Sequence, residues 1–155
     1  MTDARFELLG VHLDSESFDR LSVPLDDPAH VPFALPEGAS FTVSLEFRLT
    51  SPVDGLVYVD SRTIDECTLP AETTPLGSFR AGGPYEVVLP PEKLPSGRHA
   101  RGTYTVTGTF LDGDGRTLTQ ETHRFRVAHQ DRHVSRSFTR DAAGTPTGAT
   151  AGDGP

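Results

Sequence analysis

Residues Thr103 to Phe110 alternate without a break. Tyr104, Val106, Gly108 and Phe110 fall on one parity, and Thr103, Thr105, Thr107 and Thr109 on the other. A period of two marks a strand with one buried and one wet face. Phe41, Val43, Leu45, Phe47 and Leu49 alternate in the same way with Thr42, Ser44, Glu46, Arg48 and Thr50, which is the cleanest strand in the chain. Arg5 to Leu13 reads as a first strand, with an irregularity near Gly10. Leu21, Val23 and Leu25 form a short piece that Pro24, lacking an N–H, confines to a sheet edge. Pro52 to Gly55 is expected to turn the chain into a strand over Leu56 to Thr63. Tyr85 to Leu89 follows, stopped by Pro90 and Pro91. Asp112-Gly-Asp-Gly115 supplies a hairpin turn leading to a last strand over Thr117 to Val127. These are about seven or eight short strands at sandwich-like spacing, and no helical period persists. The expected class is all-β, a sandwich of two antiparallel sheets, with a β-barrel as the alternative.

The 155 residues suit one domain. Residues 1–131 are assigned to the sandwich. From 132 to 155 the chain is mainly Gly, Ala, Thr, Asp and Pro, with Phe138 the one large apolar side chain after Ser137. Such a segment buries too little to offset its ordering entropy, so a disordered tail is expected. No apolar run approaches the ~20 residues of a membrane span. The opening Met1 to Glu7 shows no basic stretch followed by an apolar one. Cys67 is the single cysteine, so no internal disulfide forms. A cytoplasmic, monomeric protein is expected. The net charge is −8, from 22 acidic side chains against 14 Lys and Arg. Nucleic acid is a poor partner for such a surface, whereas a basic peptide or tail is a natural one.

Candidate chemistry is sparse. His129 and His133 are four apart but lie beyond the last strand, with no third ligand. His12, His30, His99 and His123 fall on different elements. Asp112-Gly-Asp-Gly resembles the start of a calcium loop, yet Arg116 and His123 stand where such a loop needs an oxygen ligand and its closing Glu. No nucleophile elbow, phosphate cradle or activated cysteine is present. No metal, cofactor or catalytic residue is assigned, and the chain reads as a binding protein. A sandwich left open along one edge can hold a slender apolar ligand. An isoprenoid of roughly 15 to 20 carbons would gain on the order of 10 kcal/mol there before costs.

Several ordered motifs share one further property. They are Phe33-Ala-Leu-Pro-Glu-Gly38, Phe47-Arg48, Gly55-Leu-Val-Tyr-Val59, Leu76-Gly-Ser-Phe79, and Pro95-Ser-Gly97 followed by Ala100-Arg-Gly-Thr-Tyr104. Phe110-Leu-Asp-Gly-Asp114 completes the set. At this spacing, from about Phe6 to Asp131, the chain resembles the immunoglobulin-like lipid-binding domain of Rho GDP-dissociation inhibitors. The resemblance implies an immunoglobulin-like β-sandwich that holds the prenyl group of a small GTPase between its sheets and regulates its exchange between membrane and cytosol. Carried over by position, Leu13, Phe33, Phe41 and Val106 line the lipid slot. Asp112 and Asp114 face the basic tail of the GTPase.

The departures are specific. The family's last long strand lines the slot with two Trp; this chain has none, and Glu121 and His123 take those places, with His123 kept as a slot residue. His99 and Thr74 replace two further slot residues. A polar group buried unpaired against hydrocarbon costs at least ~1–3 kcal/mol. Either the slot is shorter, or its ligand is more polar, or Glu121 and His123 pair and face away. A bulge is also suggested, since Leu118 and Phe125 have opposite parity. With a first strand near Arg5, the family's acidic N-terminal arm, which blocks nucleotide exchange, is expected to be missing, so inhibition of exchange is not expected to follow from the resemblance. Two other readings stay open: an interaction module whose slot has closed into plain core, and an enzyme using Glu121 and His123 as an acid–base pair.

Overall fold

The computed structural model describes residues 5–25, 27 and 29–129. The segment expected to form a tail lies outside these residues, as does His133.

Eleven strands and one turn of 3-10 helix make up the described chain. In the first layer, β1 (Phe6–Asp14) lies between β2 (Leu21–Ser22) and β4 (Ser40–Leu49), and β8 (Gly82–Val88) closes the far edge. The short β9 (Glu92–Lys93) also pairs with β4, beside Ser40 and Phe41. The second layer runs β3 (Phe33–Pro36), β11 (Thr117–Ala128), β10 (Gly102–Leu111), β5 (Val53–Ile64) and β6 (Cys67–Thr68). Strand β7 (Glu72–Phe79) joins β5, and the 3-10 turn Arg98–Ala100 precedes β10. This is the expected immunoglobulin-like all-β sandwich, with one refinement. The β3–β11 pair is parallel, so the second sheet is mixed.

Alternation located the long strands because each buries one face. Phe41, Val43, Leu45, Phe47 and Leu49 of β4 point into the core, as do Tyr104, Val106 and Phe110 of β10. The irregularity near Gly10 is a register shift between Leu8 and Gly10 opposite β4. The suspected bulge is also present. Phe110 pairs with Thr119 but Leu111 pairs with Thr117, leaving Leu118 as the extra residue. Leu118 is thereby fully buried, while Phe125 keeps its own inward parity. Elsewhere the sequence reading fell short. The expected turn at Pro52 to Gly55 is partly strand, since β5 begins at Val53 and absorbs the bend as register shifts against β7. Strand β7 itself carries no alternation because it is an edge strand, largely exposed.

Aromatic rings tie the layers together at one end. Phe6 stacks on Phe47 at 5.1 Å and meets Phe110 at 4.8 Å. Phe110 in turn packs on Tyr58 at 5.0 Å. At the other end Tyr104 stacks on Phe125 at 5.1 Å. The hairpin between β10 and β11 is fixed by Asp112. Its Oδ1 accepts from the N–H groups of Asp114 and Arg116 at 3.0 and 2.9 Å. Gly115 follows with φ 83, which favours glycine.

Gly108 permits the Tyr58 position. A Cβ there would lie 2.5 Å from the Tyr58 hydroxyl and 2.8 Å from its ring. The ring is held against Phe110 and cannot swing aside freely. Gly108→Ala is therefore expected to destabilise the domain by about 1–3 kcal/mol, read as a lower urea midpoint with an unchanged slope. An unchanged midpoint would contradict this packing.

Candidate functional site

The two layers do not close perfectly. Val11 and Leu13 of β1 with Phe41 and Val43 of β4 face Tyr58, Asp60 and Arg62 of β5, Val106 of β10, and His123 and Phe125 of β11. They enclose a void of about 20 Å³, room for about one water molecule. Four of the five slot residues expected from sequence, Leu13, Phe41, Val106 and His123, meet here. The fifth, Phe33, stands beside them. Its ring stacks between His30 at 6.1 Å and His123 at 6.2 Å.

Glu121 and His123 do pair, but they face inward rather than away. Nδ1 of His123 lies 2.9 and 3.0 Å from the two carboxylate oxygens of Glu121. Both side chains are only 7% exposed. Residues two apart on a strand share a face, so the buried parity of Phe125 and Val127 carries this pair inside with it. Mutual bonding is what makes their burial tolerable.

A second polar group crosses from one layer to the other. The Arg62 guanidinium binds Asp60 through two bonds of 3.0 and 2.9 Å. It also binds Glu92 through Nη2 and Nη1, each at 2.9 Å. Arg62 belongs to the second layer, whereas Glu92 lies on β9, hydrogen-bonded to β4 of the first. The guanidinium also lies 5.9 Å from the centre of the Phe125 ring. Burial works against the Arg62 charge, but its bonds to Asp60 and Glu92 outweigh burial and raise its pKa. The sequence reading missed this group. Its signal was parity: Asp60 and Arg62 continue the inward alternation of Leu56 and Tyr58.

Outside this bridge lies an open groove of about 590 Å³. Ile64, Leu69, Leu94, Ala100, Tyr104 and Phe125 give it apolar walls, and His99, Cys67, Asp65 and Ser96 stand around them. Arg62 and Phe125 line both groove and void. His99 is exposed here rather than buried between the sheets. Thr74 is half-buried, opposite Tyr58 in the β5–β7 pairing.

The sequence model of the RHO protein GDP dissociation inhibitors matches residues 2–130. The chain belongs to the Rho GDP-dissociation inhibitor family. It is 30% identical over 115 residues to the Rho GDP-dissociation inhibitor of Schizosaccharomyces pombe, covering 69% of this chain and 56% of that protein. It is 29% identical over 106 residues to Rho GDP-dissociation inhibitor 1 of Homo sapiens, covering 65% and 46%. The chain thus spans about half the length of these relatives. Among solved structures it is similar to the C-terminal domain of wzt, with a TM-score of 0.58, 11% identity and coverage of 84% and 78%. That likeness concerns the fold alone.

Two acids of the inhibitor-family motif at the hairpin differ sharply. Asp112 is turned inward, 7% exposed, and binds Arg5 at 3.2 Å. The Arg116 N–H, the largest influence, and the Arg5 side chain hold its carboxyl below the usual range. Asp114 is 83% exposed and is the acid this tip offers to solvent. Among the described residues no three His, Cys, Asp or Glu side chains gather as a metal site, and no helix is long and apolar enough to cross a membrane.

Glu37, from the Phe33 to Gly38 motif, fixes the rim of the groove. It accepts from the Gly97 N–H at 2.7 Å and from Arg101 at 3.1 Å, and meets His129 at 2.8 Å. The Gly97 N–H lowers its pKa most; burial opposes it, and His129 and Arg101 add, leaving a value of about 2. A depressed carboxyl stabilises the fold above its unfolded pKa and loses that contribution as pH falls. Wild-type stability is therefore expected to drop between about pH 4.5 and about pH 2. Glu37→Gln should flatten this limb in acid urea titrations. An identical acid slope in the variant would show that Glu37 does not anchor the rim.

Proposed function

We propose that this chain is a non-enzymatic binding protein that receives the prenyl group, or a similar apolar group, of a lipid-modified small GTPase at the mouth of its sandwich. By doing so it regulates the partition of that partner between membrane and cytosol. The observation that carries this reading is the groove. Its volume of about 590 Å³ lies within the range of sites for small apolar ligands, and it meets the inter-sheet void at Arg62 and Phe125. An isoprenoid needs apolar walls and offers no hydrogen bonds, which suits Leu69, Leu94, Tyr104 and Phe125. Leu13, Phe33, Phe41, Val106 and His123 would line its deeper end. The void holds no more than about one water, so deeper insertion requires Arg62 to release Glu92 and the layers to part. The bridge thus sets access to the interior.

The surface supports a basic partner. The net charge is −8, and Asp114, 83% exposed beside Arg116 at the hairpin tip, would help to attract a cationic tail at long range. Asp112 would act through the turn that presents it. A monomer in the cytosol fits this role. Glu121 and His123 are read as a structural pair, because their bonds to each other account for their burial.

The narrowness of the void favours a second reading, a protein-interaction module with a closed interior. One experiment separates the two. A fluorescent geranylgeranylated basic peptide is titrated against the protein, beside the same peptide without lipid. The carrier reading expects binding that depends on the lipid and weakens at least about tenfold in Leu69→Asp. Leu69 is only half-buried, so the variant should keep its fold. Equal binding of both peptides would support the module instead. Unchanged lipid binding by Leu69→Asp would remove the groove from the site.

A further inference from the structure

Two buried polar groups in the slot lack partners. Tyr58 is 2% exposed, and its hydroxyl makes no hydrogen bond among the described residues. His123 gives Nδ1 to the Glu121 carboxylate, which assigns its proton to that nitrogen. In the neutral ring Nε2 is then an acceptor, and nothing among the described residues bonds to it. Both side chains line the same void. The pairing places them close. The Tyr58 hydroxyl lies over Gly108, Gly108 sits opposite Glu121, and the next inward pair is Val106 with His123. Native interiors rarely leave such groups unmet.

We propose that the slot selects an apolar chain ending in a neutral hydroxyl, which donates to Nε2 of His123 and accepts from the Tyr58 hydroxyl. This rests on the groove being an apolar binding site. The chain would lie along Leu69, Tyr104 and Phe125, and its hydroxyl would pass Arg62 into the void. The fit is one of size as well as chemistry. A void of about 20 Å³ takes one oxygen-bearing group and little more. The groups nearby disfavour the alternatives. Asp60 and Glu121 are already paired with Arg62 and His123, so a carboxylate or an ammonium would be desolvated there with no free counter-ion, and an ammonium has no lone pair for the Tyr58 proton. A plain hydrocarbon end, such as that of a protein-bound prenyl group, is not excluded but leaves both polar groups unmet and is held less tightly.

Farnesol, its hydrocarbon analogue farnesene and farnesoic acid are titrated into the full chain by calorimetry, beside the geranylgeranylated peptide. Farnesol is expected to bind about tenfold more tightly than farnesene, with farnesoic acid weaker than farnesol. Tyr58→Phe, which removes one oxygen, should reduce the farnesol-to-farnesene ratio to about threefold or less. Farnesene binding as tightly as farnesol to the wild type overturns the proposal, and that comparison stands even if the variant fails to fold. A full preference retained by Tyr58→Phe overturns the part given to Tyr58. Peptide binding without any preference for the alcohol sinks only the hydroxyl assignment. Absence of binding by every ligand, the peptide included, overturns the groove and this inference together.

Discussion

The Arg62 guanidinium is shared between two carboxylates that belong to different layers, and the condition of the interior follows from that arrangement. Asp60 lies on its own strand, whereas Glu92 reaches it from the short strand beside Phe41. Four bonds at about 3 Å or less fix a charged group where the sheets would otherwise diverge. Charge-assisted, two-pronged pairing of this kind is strong and directional. It costs desolvation, which a plain apolar contact would not. A sandwich that needed only stability would have little use for it at this position. Its place between an open apolar groove and a nearly filled void is what supports reading it, in the proposed function, as the gate of the slot.

The rest of the interior is consistent with that role. At one end Phe6, Phe47, Phe110 and Tyr58 pack ring on ring, and the sheets are closed there. At the other end the inward faces carry Glu121, His123, Asp60 and Arg62 among Val, Leu and Phe. These polar groups are mostly paired, so the cost of burying them is contained. They also limit how tightly the layers can meet, because each fixed bond dictates a distance that close packing would not choose. The positions expected to line a slot therefore still meet between the layers, with polar groups among them. Membership of the Rho GDP-dissociation inhibitor family and the altered lining are compatible, since a shared fold does not dictate one ligand.

Much of this was legible in the chain because strands with one wet face announce themselves. Phe41 to Leu49 and Thr103 to Phe110 alternate as they do because one side meets the core and the other meets water. The bulge at Leu118 could be inferred from a conflict of parity with Phe125. Strands β3, β6, β7 and β9 were not visible, for a physical reason. They are short or lie at edges, and Glu72 to Phe79 buries none of its residues fully, so its pattern is weak. At the site, Leu13, Phe41, Val106 and His123, singled out from the sequence, do line one space. The direction of Glu121 and His123 was not decidable from residue type, since a paired acid and imidazole can be buried or solvated. Arg62 and Glu92 are separated by 30 residues, and nothing local in the sequence links them. Only the folding of β9 against β4 brings the two together.

In the proposed function, the bridge between Arg62 and Glu92 governs entry to the slot. Stopped-flow mixing of the geranylgeranylated fluorescent peptide with wild type and Glu92→Gln measures this directly. Loss of the Glu92 charge replaces its two charge-assisted contacts to Arg62 with at most one neutral hydrogen bond and so loosens β9 from the opposite layer. The account predicts association several-fold faster in Glu92→Gln, with the fold intact by circular dichroism. Association at the wild-type rate, or slower, in a folded variant would contradict it.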